Sequence, residues 1–338
     1  TLRKGSIMIS LISENQPLFA LGFLIFLVIS VLLVFQYVVI RYGQQLFTQA
    51  IRCWVRTKRN LAKNKRIILF RGKYPKLDVI MSRRFDLRDF YGLSLTFLWV
   101  VIGCMLVLFI ALAEAVATLN SIVSIDYFIS AQMSLLRDSD VVGFFVLITS
   151  FASTPIAVLV VLFVAVNCWV KQQRYIIVGL LIATLGSTAF TSLLKYLFQR
   201  ERPANSLLVV QTYSFPSGHA TTAMALYGFI AYLLIRFHQN FAQKIRIFTI
   251  AILFILLIGL SRVVLNQHYL SDVLGGYLVG AFWLTLGISI TEWLSVESKI
   301  IWKVEWSTSH AYMIWLSGLG VFISTLIYAK IYQLPMLS

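Results

Sequence analysis

Eight long apolar stretches run through this 338-residue sequence, and they constrain its fold more than any other feature. They lie at about 17–40, 92–118, 141–170, 175–197, 219–235, 247–265, 269–291 and 310–333. A helix needs roughly 20 apolar residues to cross a bilayer core about 30 Å thick, and each stretch reaches or approaches that length. The sequence therefore predicts an all-α, polytopic membrane helical bundle with about eight transmembrane helices.

The composition also favours a bilayer over water. Hydrophobic residues make up 59% of the chain and charged residues only 12%, which is too apolar for the surface of an ordinary soluble domain. The three cysteines, Cys53, Cys104 and Cys168, lack the spacing of an obvious disulfide pair or of a zinc site. We therefore expect neither a bound metal nor a cofactor.

Positive charge sets the predicted topology. Residues 41–90 hold fourteen Lys and Arg against three Asp, and such basic connections stay in the cytoplasm. Counting spans puts two more basic connections, 171–174 and 236–246, on the same side. The same count places three segments on the extracytoplasmic side, at residues 126–140, 198–218 and 261–272. Arg3 and Lys4 also fall outside, which conflicts mildly with the rule.

The basic region has a helical pattern of its own. Apolar residues from Phe47 to Val55 recur at helical spacing between Arg52, Arg56 and other cations. This pattern is typical of a helix lying on an anionic membrane surface, although we favour a solvated anchor that only sets the topology. The net charge of +16 is thus explained by the membrane, and no nucleic-acid partner is expected.

Three short segments at the predicted outer face hold most of the unusual polar residues of the membrane region. They are residues 195–203, 216–219 and 261–272. Lys195 and Arg202 are seven residues apart, so both project from one face of a helix end before Pro203 discourages its continuation. With Arg262 they would form a cationic pocket. Phosphate is the anion that such a pocket suits best, because its oxygens match the fork of an arginine.

The segment Pro216-Ser217-Gly218-His219 is predicted to be a turn that leads into the fifth span. Gly218 allows the backbone to approach a ligand closely, and free N–H groups at a helix start bind anions. The Ser217 hydroxyl supplies one more donor. His219 would then lie where it can protonate a leaving group and later activate water.

His268 and Asp272 are four residues apart, which predicts that they share one face of a helix. The carboxylate would accept a hydrogen bond from one ring nitrogen and leave the other free to attack phosphorus. We therefore predict His268 as the nucleophile, with Asp272 as its orienting partner.

Together the segments match K-x6-R-P, P-S-G-H and S-R-x5-H-x3-D at every position, and the chain resembles the type 2 phosphatidic acid phosphatase superfamily on these motifs. The resemblance implies a six-helix core at 91–292. It does not cover the transmembrane helix and basic cytoplasmic region predicted at 1–90, or the extra transmembrane helix predicted at 293–338. The resemblance also implies metal-independent chemistry, with His268, His219 and Asp272 as catalytic residues. The implied phosphate ligands are Lys195, Arg202, Ser217, Gly218 and Arg262.

The expected function is hydrolysis of a phosphorylated lipid in a bacterial inner membrane, through a phosphohistidine, at a site facing the periplasm or exterior. Candidate substrates are undecaprenyl pyrophosphate, phosphatidylglycerol phosphate, phosphatidic acid and lipid A. Lipid-to-lipid phosphotransfer, or a lipid transporter or scramblase on the same bundle, are the alternatives. Vanadium-dependent haloperoxidases share the signature but resemble soluble proteins, unlike this chain. The oligomeric state is left open.

Overall fold

The computed structural model describes residues 16–84, 90–118, 121–136, 141–204, 206, 212–297, 300, 302 and 308–337, and the regular elements in these ranges are helices. They are α1 Gln16–Ala62, α2 Lys65–Lys73, α3 Pro75–Arg84, α4 Leu95–Ala117, α5 Ser121–Ser134, α6 Val141–Ser150, α7 Thr154–Val170, α8 Arg174–Phe198, α9 Gly218–Phe237, α10 Phe241–Val264, α11 Leu270–Val296 and α12 Thr308–Leu337. Within the described part of the chain, seven helices are long and apolar enough to cross a membrane, or eight if a bent pair is one span. The predicted all-α membrane bundle is confirmed.

The bent pair is α6 and α7, which together occupy the third predicted span. Their axes differ by 45°, so the apolar stretch predicted at 141–170 forms a bent pair of helices. Ser153 lies in an extended conformation ahead of α7, and Pro155 falls in the first turn of that helix. A proline is well tolerated there because first-turn N–H groups have no partner within the helix.

The first helix, α1, is much longer than its predicted span. It has 47 residues, which corresponds to about 70 Å at 1.5 Å per residue, over twice the thickness of a bilayer core. No proline occurs between Pro17 and Pro75, so nothing in the sequence forces the helix to stop at the membrane. Residues 47–59 therefore continue the transmembrane helix, and the separate surface helix considered for them does not form.

Helix α11 occupies the centre of the bundle and packs against α4, α8 and α9. Glycine permits the contact with α9: a Cβ built on Gly276 would lie 2.5 Å from the Ser217 carbonyl oxygen, and one on Gly280 would lie 2.7 Å from the Thr221 carbonyl oxygen. Small residues allow membrane helices to approach backbone to backbone in this way. The first turns of α9 and α11 are therefore held side by side.

The helices outside the predicted core pack on its periphery. Helix α1 lies against α10, and α12 lies against α6 and α7. Large apolar side chains on these outer helices are exposed, including Phe26 on α1 and Trp315 on α12, as expected for surfaces that face lipid. The division into 1–90, 91–292 and 293–338 stays a prediction.

Candidate active site

The three polar segments meet at one end of the bundle. They are the end of α8 with residues 199–203, the start of α9, and the turn between α10 and α11. Backbone hydrogen bonds join them: the Ser214 N–H donates to the Arg200 carbonyl (2.8 Å) and the Ser217 N–H donates to the Asp272 carbonyl (2.9 Å). The convergence expected from the span count is present in the structure.

Two of the predicted phosphate ligands lie at the end of α8. Lys195 Nζ donates to the carbonyl oxygens of Tyr213 and, at 3.4 Å, of Ser214. Arg202 donates through Nε to the Thr212 carbonyl (2.7 Å) and through Nη1 to the Gln267 carbonyl (2.7 Å). The carbonyls of residues 212–214 hold both cations, and the Gln267 carbonyl also ties Arg202 to the α10–α11 turn; none of these contacts cancels the positive charge.

Arg262 approaches the same site from the last turn of α10. Its side chain is buried, and Nη1 donates to Thr149 Oγ1 at 2.7 Å. Thr149 lies near the end of α6, directly before the break between α6 and α7. A buried arginine gains most when an anion shares its desolvated environment, so Arg262 strengthens the case for an anion site.

Ser217 precedes the first turn of α9 in an extended conformation, as helix N-cap residues do. Its hydroxyl is fully buried and has no hydrogen-bond partner among the described residues. A Cβ built on Gly218 would meet nothing within 4 Å, so open space lies beside this turn. A buried hydroxyl without a partner, open space and free helix N–H groups together suit an anion.

His219 belongs to the same turn. Arg262, His268, Arg202 and Lys195 are all close enough for their charges to act on its imidazole. The structure thus gathers both predicted catalytic histidines and the three predicted cations around one position.

The contact between His268 and Asp272 is present, but its geometry differs from the expectation. His268 precedes α11, so the two residues do not share a helix face; His268 Nδ1 lies 3.5 Å from Asp272 Oδ2 across the turn. Asp272 caps its own helix by accepting the Tyr269 N–H at 2.9 Å. Ser214 links the pair, because its hydroxyl donates to Asp272 Oδ2 and lies 3.3 Å from His268 Nδ1.

The surroundings of His268 favour its neutral form. Burial lowers the pKa of its imidazole well below the ordinary value, and the nearby charges of Arg202, Lys195 and Arg262 lower it further. The other ring nitrogen, Nε2, lies 3.3 Å from Arg202 Nη1. A neutral imidazole has a free lone pair, which a nitrogen nucleophile requires.

Sequence reasoning missed three members of this cluster. Arg200 contacts the carboxylates of both Asp126 and Asp272, and Ser214 lies between Asp272 and His268. Asp126 is buried within α5. The available signal was the unusual run of charges at 200–202, since a second arginine two residues before the motif arginine needs its own partner.

Comparisons with known proteins identify one family. A model of the PAP2 superfamily matches residues 174–295. Phosphatidylglycerophosphatase B of Bacillus subtilis (strain 168) is 31% identical over 177 residues, which cover 51% of this chain and 85% of the relative.

The fold likeness extends over a similar part of the chain. The crystal structure of the first transmembrane PAP2 type phosphatidylglycerolphosphate phosphatase from Bacillus subtilis matches with a TM-score of 0.53 and 28% identity. The match covers 57% of this chain and 96% of that one. The motifs, the helical bundle and these likenesses agree, and the chain belongs to the PAP2 superfamily as an integral membrane lipid phosphatase.

Proposed function

We propose that this protein hydrolyses a lipid phosphomonoester or pyrophosphate at the extracytoplasmic face through a phosphohistidine intermediate. The observation that carries the proposal is the pairing of buried His268 with buried Asp272 beside Lys195, Arg202 and Arg262. A neutral nucleophile, its orienting carboxylate and three cations are the parts that phosphoryl transfer needs.

In the first step the phosphoryl group moves to the enzyme. The lone pair of His268 Nε2 forms a bond to phosphorus while the bond between phosphorus and the lipid oxygen breaks. His219 gives a proton to that leaving oxygen. The His268 Nδ1 proton faces Asp272 Oδ2, whose negative charge stabilises the positive charge that develops on the ring.

In the second step water attacks the phosphohistidine. His219 takes a proton from the water while the water oxygen forms a bond to phosphorus. The nitrogen–phosphorus bond breaks, and its electron pair stays on His268. Lys195, Arg202 and Arg262 hold the non-bridging oxygens in both steps, together with the Ser217 hydroxyl and the N–H groups at the start of α9. Inorganic phosphate then leaves a neutral His268.

Phosphatidylglycerol phosphate is the first substrate to test, because the relative from Bacillus subtilis is named for hydrolysis of that lipid. Purified protein in detergent, without added metal, is expected to release phosphate from it. The panel should include phosphatidic acid, undecaprenyl pyrophosphate and lipid A, with His268→Ala protein as the blank. Release no greater than the blank from all four lipids would contradict the proposal, and label passed to a second lipid would identify a phosphotransferase instead.

The extracytoplasmic orientation can be tested with a single reporter on each side. Ala204 is exposed beside the site, and Cys53 is exposed in the basic part of α1. With Cys104 and Cys168 changed to serine, Ala204→Cys is expected to react with an impermeant maleimide in intact cells. Native Cys53 is expected to react only after the membrane is opened. The reverse order of labelling would place the site in the cytoplasm.

A further inference from the structure

Arg200 lies between two buried carboxylates next to the site. Its Nη1 donates to Asp272 Oδ1 (2.6 Å) and to Ser271 Oγ (2.7 Å), and its Nη2 donates to Asp126 Oδ2 (2.8 Å). The guanidinium also lies over the Tyr269 ring, 4.4 Å from the centroid. Each terminal nitrogen of the Arg200 guanidinium thus donates to a carboxylate, whereas Lys195 and Arg202 donate to backbone carbonyl oxygens.

Asp126 connects this arginine to helix α5. Its Oδ1 accepts the Ser271 backbone N–H at 3.0 Å, and its Oδ2 accepts the Ser271 hydroxyl. Asp126 is 1% exposed and Asp272 is not exposed at all. An isolated buried carboxylate is costly, so each acid depends on the guanidinium between them.

The two oxygens of Asp272 have different partners. Oδ1 faces Arg200, whereas Oδ2 faces His268 Nδ1 and accepts from Ser214 and Tyr269. A contact that fixes Oδ1 also fixes the rotation of the carboxyl group. Arg200 therefore acts together with Ser214 and Tyr269 in holding the carboxyl group so that Oδ2 faces the imidazole.

We propose that Arg200 and Asp126 are positioning residues that orient Asp272, and through it His268, so that helix α5 is part of the catalytic apparatus. This inference rests on the proposed roles of His268 and Asp272. It assigns the effect to the rate of phosphoryl transfer and not to lipid binding, because Arg200 directs its fork at carboxylates. The chain of contacts is Asp126 to Arg200 to Asp272 to His268.

The test is to measure kcat and KM separately, because the inference predicts a change in kcat and little change in KM. Arg200→Gln is expected to lower kcat on the order of 10- to 100-fold, the range seen when outer partners of a site are removed, with KM changed by no more than about twofold. Inhibition by orthovanadate, a phosphate mimic, should stay close to that of the native protein. Arg200→Lys should recover part of kcat, since an ammonium keeps the charge without the two-pronged geometry.

Asp126→Asn provides a second variant that keeps the side-chain volume. This substitution is also expected to lower kcat. The double variant with Arg200→Gln and Asp126→Asn should have a kcat no lower than that of Arg200→Gln alone, because both substitutions act through one contact. Arg174→Gln and Asp78→Asn are matched controls, as Arg174 lies over Tyr175 and Asp78 pairs with Arg71 away from the site. Both are expected to keep native kinetics.

The outcomes separate this inference from the proposed function. If His268→Ala is inactive while Arg200→Gln and Asp126→Asn keep the native kcat, the positioning role is wrong and the proposed function stands. A rise in KM and in the vanadate inhibition constant at unchanged kcat would make Arg200 a phosphate ligand and overturn the inference. If Arg200→Gln does not fold, Asp126→Asn decides by the same criteria. Full activity of His268→Ala would instead end the proposed mechanism.

Discussion

His268→Ala is expected to lower phosphate release on the order of 10⁴- to 10⁶-fold, as removal of a nucleophile does in other enzymes with covalent intermediates. The substitution removes the nitrogen that we propose attacks phosphorus but leaves Lys195, Arg202 and Arg262 in place. Orthovanadate should therefore still bind. Steady-state phosphate release, with a radiolabelled lipid for sensitivity, gives the loss directly.

The matched control for this variant is His238→Ala. His238 directly follows α9 at the end of that helix opposite the site, where its Nδ1 lies 2.8 Å from the Leu234 carbonyl oxygen, and it should be dispensable. Rapid quenching into base should trap label on native protein and not on His268→Ala, because phosphohistidine survives base but not acid. Label still bound to His268→Ala would show that another residue is phosphorylated.

His219→Gln is expected to lower turnover of the lipid substrate by roughly 10² to 10⁴-fold, the usual contribution of a general acid-base group. The effect should depend on the leaving group. A lipid alkoxide needs a proton to depart, whereas the phenolate of an aryl phosphate departs without one. The first step should consequently stay fast with an aryl phosphate.

Hydrolysis of the phosphohistidine should be slow in His219→Gln even with an aryl phosphate, because the attacking water still requires a base. His219→Gln is thus expected to release one equivalent of phenolate in a burst, to stop, and to accumulate label on His268. Stopped-flow absorbance and base-quenched labelling measure the two quantities. Equal loss for lipid and aryl substrates, with no labelled protein, would remove His219 from the acid-base role.

Much of the site was accessible from the sequence because its residues lie at the ends of apolar spans. Lys195, His219 and Arg262 each end or begin a span, and an odd or even count of crossings decides which ends share a face. That rule needs no knowledge of helix packing. It explains why residues far apart in the sequence could be placed together, although their chemical roles remain predictions.

Contacts that depend on packing were not accessible in the same way. The pair of Arg200 and Asp126 joins positions 74 residues apart, and no periodicity connects them. The contact of His268 with Asp272 was expected for a wrong reason, since it crosses a turn and is not made along a helix. The break between α6 and α7 was also missed. Hydropathy is averaged over a whole span, so the three residues of the break, 151–153, do not stand out.

The backbone contact between α9 and α11 limits how this enzyme can adapt to its substrates. Where a glycine lies directly against a carbonyl oxygen, neither helix has room to shift, so the scaffold fixes the spacing between the turn that carries His219 and the turn that carries Asp272. Lipids with larger or smaller headgroups must then be accommodated by the residues around these two turns. We expect substrate range to change through those residues, while the spacing of the turns stays the same.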